Sequence, residues 1–178
     1  MGLRAYGLAV VTAAAALWMM SGTQREKPVL AATEPDAVST LEADVAAHPA
    51  DADKVRQLAQ AYLDARQPGL AVVLVEGAAP QVKDDVRVQH VYARALVDEG
   101  RNGEALAVER GVVARCRPVA EGAPAAPGCD SVLLASAIRR QDILSELVTL
   151  GVQDSEAHPE ASFVAYQNAT REARVMVQ

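Results

Sequence analysis

The sequence predicts an all-α fold, a short α-solenoid of antiparallel helix hairpins that follows an N-terminal signal or anchor segment. Alanine accounts for 36 of the 178 residues, whereas aromatic residues make up only 3%. Because alanine is the strongest helix former and fills little volume, this composition favours closely packed helices and argues against a β-sandwich or barrel. The other two observations are an uncharged apolar run near the N-terminus and a 34-residue internal repeat.

Residues 1–22 are predicted to form a signal peptide or signal anchor. Arg4 supplies a positive charge, and the run Leu8 to Met20 contains thirteen uncharged residues. That length is typical of a signal-peptide apolar region and is short for an upright membrane-spanning helix. Residues 23–34, with Pro28 and several charges, are interpreted as a linker. We therefore expect a periplasmic protein, anchored in the inner membrane by a tilted uncleaved segment or secreted if that segment is cleaved.

The charge of the remaining chain bears on its partners. Beyond residue 22 there are 16 basic and 23 acidic side chains, a formal net charge of −7. Nucleic-acid binding depends on a positive face that displaces counterions, so no nucleic-acid partner is expected.

An internal repeat is predicted across the centre of the chain. Six identities occur at one constant offset without a gap: Ala59/Ala93, Ala61/Ala95, Asp64/Asp98, Gly69/Gly103, Ala71/Ala105 and Gly77/Gly111. The three pairs that are not alanine are the most informative, because alanine is abundant everywhere in this chain.

Each unit is predicted to be a helix hairpin. The first unit has an apolar stripe at helical spacing, formed by Val55, Leu58, Ala59, Tyr62 and Leu63. Gln67-Pro68-Gly69 ends that helix, and a second apolar stretch runs from Leu70 to Gly77. In the second unit the corresponding stripe is Val88, Val91, Tyr92, Ala95 and Leu96, followed by a break at Gly100 to Gly103 and a helix from Ala105 to Val113. A single hairpin cannot cover its own apolar face, so neighbouring hairpins are expected to stack.

These units resemble the tetratricopeptide repeat (TPR) family, whose pattern is a large apolar residue, Leu-Gly and Tyr, then Ala and an aromatic residue on the second helix. The first unit matches at Val55, Leu58, Ala59, Tyr62, Ala71 and Val75, and the second at Gln89, Tyr92, Ala93, Leu96, Ala105 and Glu109. The units depart from the pattern because they contain no Trp, Ala replaces Gly, and Gln89 and Glu109 replace bulky residues. A helical bundle without repeats is the alternative interpretation.

Residues 35–178 are predicted to form one TPR-like domain that includes degenerate flanking units. Asp36 to His48 is expected to be the second helix of a preceding repeat. Downstream, Leu134, Ala135 and Ile138 are interpreted as the start of a further unit, which places an insertion of eight residues before Ala135. Ile143 to Leu150 is then expected to form another apolar helix.

Glu160 to Gln178 is predicted to be a last helix that caps the stack. Its expected apolar stripe recurs at three- and four-residue spacing, at Phe163, Tyr166, Thr170, Ala173 and Val177. A helix that docks on a partner, or that pairs two copies, is the alternative role.

Cys116 and Cys129 enclose a segment with three prolines, which is not expected to be helical. Two cysteines that close one loop in an exported chain most simply form a disulfide. Redox or metal chemistry is the alternative, although the chain has neither a Cys-x-x-Cys pair nor a four-ligand zinc pattern.

No catalytic motif, metal site or cofactor site is expected from the sequence, because the three histidines are far apart and no phosphate loop or nucleophile elbow occurs. The TPR resemblance implies a partner-binding concave face lined by first helices. The residues implied there are Arg56, Gln60, Asp64, His90, Arg94 and Asp98. An ordinary solvated face is the alternative interpretation, and the two aspartates could instead serve to end their helices.

We therefore expect a non-enzymatic scaffold that binds another protein or peptide, a component of a bacterial envelope complex. The second hypothesis is an envelope assembly or redox-handling factor that uses Cys116 and Cys129 chemically. A third is an enzyme whose site the repeats frame.

Overall fold

The helices can be followed in a computed structural model that describes residues 35–117 and 126–175. These residues form eight helices and contain no strand, which confirms the all-α prediction for this part of the chain. The helices are α1 Pro35–Ala47, α2 Ala52–Asp64, α3 Pro68–Gly77, α4 Pro80–Lys83, α5 Val86–Asp98, α6 Asn102–Cys116, α7 Ser131–Thr149 and α8 Pro159–Val175. The signal or anchor segment and the linker predicted for residues 1–34 lie outside the described residues. None of these eight helices is long and apolar enough to cross a membrane.

Helices α2 and α5 begin in the same way, at equivalent positions of the two repeat units. Asp51 caps α2 by accepting hydrogen bonds from the backbone N–H groups of Asp53 and Lys54. Asp85 caps α5 by accepting from Arg87 and Val88. An aspartate at this position satisfies N–H groups that have no partner within the helix. Both helices therefore begin directly after an aspartate whose carboxylate accepts hydrogen bonds from the first backbone N–H groups.

The turn that ends each of these helices also repeats. Gln67 N donates to Tyr62 O at 2.8 Å, and Arg101 N donates to Leu96 O at 2.8 Å. The residue just before each donor has a positive φ, which is 59° at Arg66 and 73° at Gly100. Such left-handed residues commonly terminate a helix and let the chain reverse into the next one. The hairpins α2–α3 and α5–α6 thus share caps and turns at the offset of the sequence repeat.

The predicted register of the downstream unit is wrong. The same turn recurs after α7, where Val152 N donates to Leu147 O at 2.9 Å and Gly151 has a φ of 73°. The step from Gly100 to Gly151 is half as long again as the step from Arg66 to Gly100, so the insertion is larger than the predicted one. The prediction aligned Ala135, but an alanine in an alanine-rich chain does not fix a register, whereas the turn does.

Helix α7 is continuous over 19 residues, from Ser131 to Thr149. The predicted separate helix from Ile143 to Leu150 is the second half of this helix. The sequence has no proline or glycine between residues 131 and 149, so nothing interrupts the backbone hydrogen bonds. A short helix, α4, was not predicted, and Asp84 lies at its C-terminal end while Asp85 caps the next helix.

Consecutive helices pack against each other, and α5 contacts both α2 and α7. The predicted stripes form the main core, in which Val55, Leu58, Ala59, Val88 and Leu96 are almost fully buried. Ala71 on α3 and Ala105 on α6 are fully buried and allow the paired helices to approach closely. The apolar periodicity of the two central units therefore predicted the buried faces correctly.

The disulfide predicted between Cys116 and Cys129 is present and joins the end of α6 to the segment before α7. It lies in a second, smaller apolar cluster with Val86, Val112 and Ala137. The crosslink therefore holds α7 beside α6 and the beginning of α5. Residues 118–125, most of the proline-containing segment, lie outside the described residues.

The first two residues of the apolar stripe predicted for the last helix are not on its buried face, and the side chains of Ala173 and Val177 lie outside the described part. Ala165 and Ala169 are buried against the rest of the protein, whereas Phe163 is 61% exposed and Tyr166 is 51% exposed. The interpretation failed because the small alanine face allows α8 to approach α7 closely, and the larger residues are then directed outward. Helix α8 is described as far as Val175 and packs on α7, and residues 176–178 of the predicted helix lie outside the described residues.

Candidate functional site

The six residues predicted to bind a partner lie on two adjacent helices. Arg56, Gln60 and Asp64 are spaced by four residues on α2, and His90, Arg94 and Asp98 have the same spacing on α5. Residues four apart share a helix face, so each helix presents one polar row. The two rows come from helices that pack against each other.

Contacts between the two helices connect equivalent positions of the repeat. Arg94 Nη1 donates to Gln60 Oε1 at 3.5 Å, and Arg87 Nη1 donates to Asp53 Oδ1 at 2.9 Å. Within α2, Gln60 Nε2 also donates to Asp64 Oδ1 at 2.7 Å. Equivalent positions of the two hairpins thus face each other. We call the two contacts between α2 and α5, Asp53 with Arg87 and Gln60 with Arg94, the lateral ladder.

Several residues of the two rows remain accessible. Asp64, Arg94 and Asp98 are exposed, and Arg56 is partly exposed beside Asp53, with 3.6 Å between Arg56 Nε and Asp53 Oδ1. Asp64 and Asp98 are also the last residues of α2 and α5, so they occupy the helix ends as the alternative interpretation expected.

The electrostatic surroundings of Asp98 identify further groups near this face. Neighbouring atoms displace part of the water around the Asp98 carboxyl, and this desolvation raises its pKa above the ordinary value. The positive charges of Arg94, Arg66 and Arg140 act on that pKa in the opposite direction. Arg140 belongs to α7, so a third helix also contributes positive charge near Asp98. Arg140 was absent from the predicted face, because the residues of that face were taken only from the two central repeat units.

His90 points between helices, unlike the other five predicted residues. Its Nδ1 lies 2.9 Å from Glu109 Oε1 on α6, and its Nε2 lies 3.1 Å from Ser136 Oγ on α7. The His90 side chain is only 14% exposed. His90 therefore contributes mainly to contacts within the protein and less to the exposed part of the face.

Glu109 is the centre of this buried cluster. It is fully buried, and Arg140 Nη1 donates to its Oε1 at 2.8 Å. The same Arg140 nitrogen donates to the backbone oxygen of His90 at 3.0 Å. A buried carboxylate needs both a countercharge and hydrogen bonds, and Arg140 and His90 supply them. The signal in the sequence was Glu109 itself, a charged residue at a position where the repeat pattern expects bulk.

The cluster places a hydroxyl, an imidazole and a carboxylate in the same sequence of contacts as a catalytic triad. These groups belong to Ser136, His90 and Glu109. Two features distinguish the cluster from such a site. Glu109 is neutralised by Arg140, and Ser136 lies within α7, where backbone N–H groups donate to the preceding turn and not to an oxyanion. The cluster is therefore suited to connecting α5, α6 and α7.

A second polar connection joins the α5–α6 turn to the α7–α8 turn. The fully buried Asn102 donates through Nδ2 to Val152 O at 3.1 Å and to Ser155 Oγ at 3.0 Å. Asn102 begins α6, so this amide connects two successive turns on the same side of the helices. It was not among the predicted site residues.

One apolar pocket of about 380 Å³ lies at the other end of the helix series, between α1, α2 and the end of α3. Its lining is almost entirely aliphatic and consists of Val45, Pro49, Ala50, Val55, Leu74, Gly77, Ala78 and Ala79. We call it the N-terminal pocket. Across residues 35–117 and 126–175, no group of three His, Cys, Asp or Glu side chains is arranged to hold a metal ion.

Comparison with protein-family models, curated proteins and solved structures gives no match to this chain.

Proposed function

We propose that this chain is a TPR-like solenoid of the bacterial envelope that binds a segment of another protein along the face formed by α2, α5 and α7. The lateral ladder is the observation that carries the proposal. Asp53 with Arg87, and Gln60 with Arg94, hold successive first helices in register at the offset of the repeat. A face built from equivalent positions of stacked hairpins is the surface on which such solenoids bind extended partners.

The face is organised before any partner arrives. The aspartate caps fix the beginnings of α2 and α5, and the cluster around Glu109 fixes α7 relative to α5. A receptor whose backbone is already ordered loses little conformational entropy on binding, so more of the contact energy contributes to affinity. This favours a binding role that relies on a fixed surface.

The charges of the face favour a polar partner segment. Arg94 makes a single 3.5 Å contact with Gln60, so most of its guanidinium donors remain for a carboxylate or a backbone oxygen. Desolvation raises the pKa of Asp98, which means that its ionised form is poorly solvated and is stabilised by an additional cation. The partner segment is therefore proposed to carry both an acidic and a basic group.

An envelope location agrees with two features of the chain. The apolar run in residues 1–22 is of signal-segment length, and the disulfide between Cys116 and Cys129 belongs to an oxidising compartment. The proposed location is periplasmic, with the N-terminal segment as inner-membrane anchor. Release by cleavage is the alternative.

Burial of Cys116, with Cys129 partly buried beside it, favours a structural role over redox handling. Cys116 is only 3% exposed and is packed with Val112 and Val113. A disulfide used for exchange must offer a sulfur to an attacking thiolate. We therefore propose that the pair stabilises the fold; rapid reduction by a mild dithiol under native conditions would support the redox alternative.

Capture of partners from solubilised membranes tests the proposed binding face. The tagged full chain serves as bait, and the variants Arg56→Glu and Arg94→Glu reverse charges on adjacent helices. Arg110→Glu is the matched control, because Arg110 is exposed on α6 and lies outside the two rows. We expect both variants on the face to lose a partner that the wild type and the control retain. Equal recovery by all four proteins would refute a partner site on α2 and α5.

A further inference from the structure

The last helix buries its small residues and exposes its large ones. Ala165 and Ala169 are buried, while Phe163, Val164 and Tyr166 are 61%, 44% and 51% exposed. We call these three exposed residues the aromatic face. An amphipathic helix at the surface normally directs its large apolar residues toward the core. The aromatic face therefore leaves apolar surface in water that α7 does not cover.

This exposure is notable in a chain so poor in aromatic residues. Phe163 is the only phenylalanine of the sequence, and the more buried Tyr62 contributes to the core. The residues from Phe163 to Tyr166 include no charged side chain. Contiguous exposed apolar residues of this kind commonly mark a contact with another protein.

The N-terminal pocket offers a complementary surface at the other end of the helix series. It is formed by α1, α2 and the end of α3, whereas the aromatic face is on α8. An apolar cavity of roughly 150 Å³ already admits a benzene ring, so a pocket of about 380 Å³ has room for a phenyl group. No charged side chain is among the lining residues, so filling the pocket does not require an ion to lose its water.

We propose that two copies of this chain associate head to tail, with Phe163 of one copy inserted into the N-terminal pocket of a second copy. The contact joins two different surfaces, so it is heterologous and leaves one pocket and one aromatic face available at the ends of the pair. It is independent of the partner-binding face on α2, α5 and α7. Association is thus a property of the two ends of the described helix series.

The contact is small and both copies carry a formal charge of −6. Small interfaces are typical of weak, transient association. Added salt screens the repulsion between the like-charged copies and does not weaken an apolar contact. Self-association is therefore expected to depend on concentration and to increase with salt, the opposite of the trend for an ionic interface.

Two variants of the full chain separate the two surfaces. Phe163→Ser removes the inserted ring at an exposed position. Gly77→Leu adds a bulky side chain at a residue that lines the pocket, and a Cβ at Gly77 meets nothing within 4 Å, so the fold can accept it. The matched controls are Gly111→Leu, at the equivalent position of the second repeat unit and equally open, and Val73→Ser, which removes an exposed apolar residue from α3.

Self-association is measured by co-capture of two differently tagged copies, purified in a mild non-ionic detergent with micelles in excess. We expect Phe163→Ser and Gly77→Leu each to reduce self-capture about tenfold or more, since the buried ring is lost from the contact. The two controls should behave as the wild type. A mixture of Phe163→Ser with Gly77→Leu should recover capture, because the first retains a pocket and the second retains a ring.

Other occupants give different results in the same experiment. A symmetric pairing of two α8 helices predicts that Gly77→Leu still captures itself and that the mixture is not captured. Occupation of the pocket by residues 1–34 of the same chain predicts no wild-type self-capture. Either result would overturn the proposal. A photo-reactive phenylalanine analogue at position 163 gives an independent measurement, and crosslinks to the peptide around Leu74 of the other copy are the expected result.

Discussion

Arg87 Nη1 on α5 donates a hydrogen bond to Asp53 Oδ1 on α2 at 2.9 Å, and the two residues occupy equivalent positions of the two repeat units. Identical charged residues at these positions would bring like charges together. The two units instead carry opposite charges there, so the side chains at these equivalent positions attract each other. Gln60 and Arg94 form a second contact between equivalent positions two helical turns further along α2 and α5, where a neutral amide accepts from the cation. The differences between the units thus contribute directly to their stacking.

The two aspartate caps are expected to stabilise the fold separately. Asp51→Ala and Asp85→Ala remove the acceptors of the first N–H groups in α2 and α5, and each should lower the free energy of unfolding by about 1 kcal/mol. Urea denaturation measures this change. Asp84→Ala is the control, because Asp84 is an exposed neighbour that caps no N-terminus. A cap variant that is as stable as the control would contradict the assignment.

The Asp85 cap also predicts a pH dependence. Burial raises the pKa of Asp85, but hydrogen bonds from the Arg87 side chain and from the backbone outweigh burial, so the folded-state pKa lies below the ordinary value of 3.8. A carboxyl group with a lowered pKa stabilises the folded state above its unfolded pKa. That contribution is lost as the pH falls below about 3.8 through the folded-state pKa. Stability measured against pH should therefore fall less steeply in acid for Asp85→Asn than for the wild type.

Loss of one partner of the buried ion pair is expected to be more harmful than loss of both. Arg140→Met leaves the fully buried Glu109 without its countercharge, and the expected cost is about 3–5 kcal/mol. The double variant Glu109→Leu with Arg140→Met replaces the pair by apolar groups and should recover most of that stability. Calorimetric unfolding of both single variants and the double variant gives the coupling energy. Additive effects in this cycle would show that the two side chains do not interact.

Removal of the disulfide is expected to destabilise the fold by about 3 kcal/mol, the value for closing a loop of this length. The variant replaces both cysteines, Cys116→Ala with Cys129→Ala, so that no free thiol remains. Because the crosslink lies in the cluster with Val112 and Ala137, hydrogen exchange should increase most in α7 and at the end of α6. Uniform exchange over all helices would instead indicate a global effect without local anchoring of α7.

Two tyrosines are expected to weaken the fold at high pH. Tyr62 donates to Glu42 at 2.7 Å and Tyr92 donates to Glu76 at 2.9 Å. Burial, and then the adjacent carboxylate, raises the pKa of each phenol from 10.0 to about 12. A raised phenol pKa stabilises the folded state below pH 10, and the contribution is lost as the pH rises toward about 12.

Spectroscopic titration of tyrosinate in the folded protein measures these pKa values. The variants Tyr62→Phe and Tyr92→Phe should each remove one of the late-titrating groups and reduce the alkaline loss of stability. Each lost hydrogen bond is expected to cost about 1 kcal/mol near neutral pH. Titration of all tyrosines near pH 10 would contradict the two hydrogen bonds.

The sequence predicted the parts of the fold that depend on local order along the chain. The stripe containing Val55 and Leu58 is buried as predicted, and helix breaks occur near Pro68 and Gly100. The disulfide was also predicted from the context of its two cysteines. These features depend on side-chain periodicity, on proline and glycine, and on two cysteines that enclose one loop, all of which are visible without coordinates.

The register of α7 could not be predicted in the same way. The interpretation relied on Ala135, but alanine is so frequent in this chain that a match carries little information. The turn at Gly151 determines the alignment, and its geometry is visible only when the hydrogen bond from Val152 to Leu147 is known. Arg140 and Ser136 were absent from the predicted face for a different reason, because that prediction took residues only from the two central units.

The sequence by itself determined that this protein is built from amphipathic helices, where the central two hairpins begin and end, and which cysteines pair. Only the tertiary structure decided that Glu109 is buried with His90 and Arg140, and that α8 exposes Phe163 while burying Ala165. The physical reason is that helix formation and capping depend on neighbours a few residues away. Which face of a helix is buried, and which distant charges pair, depends instead on how closely whole helices approach each other. Small alanine side chains are compatible with several such packing arrangements, so the sequence alone does not select one.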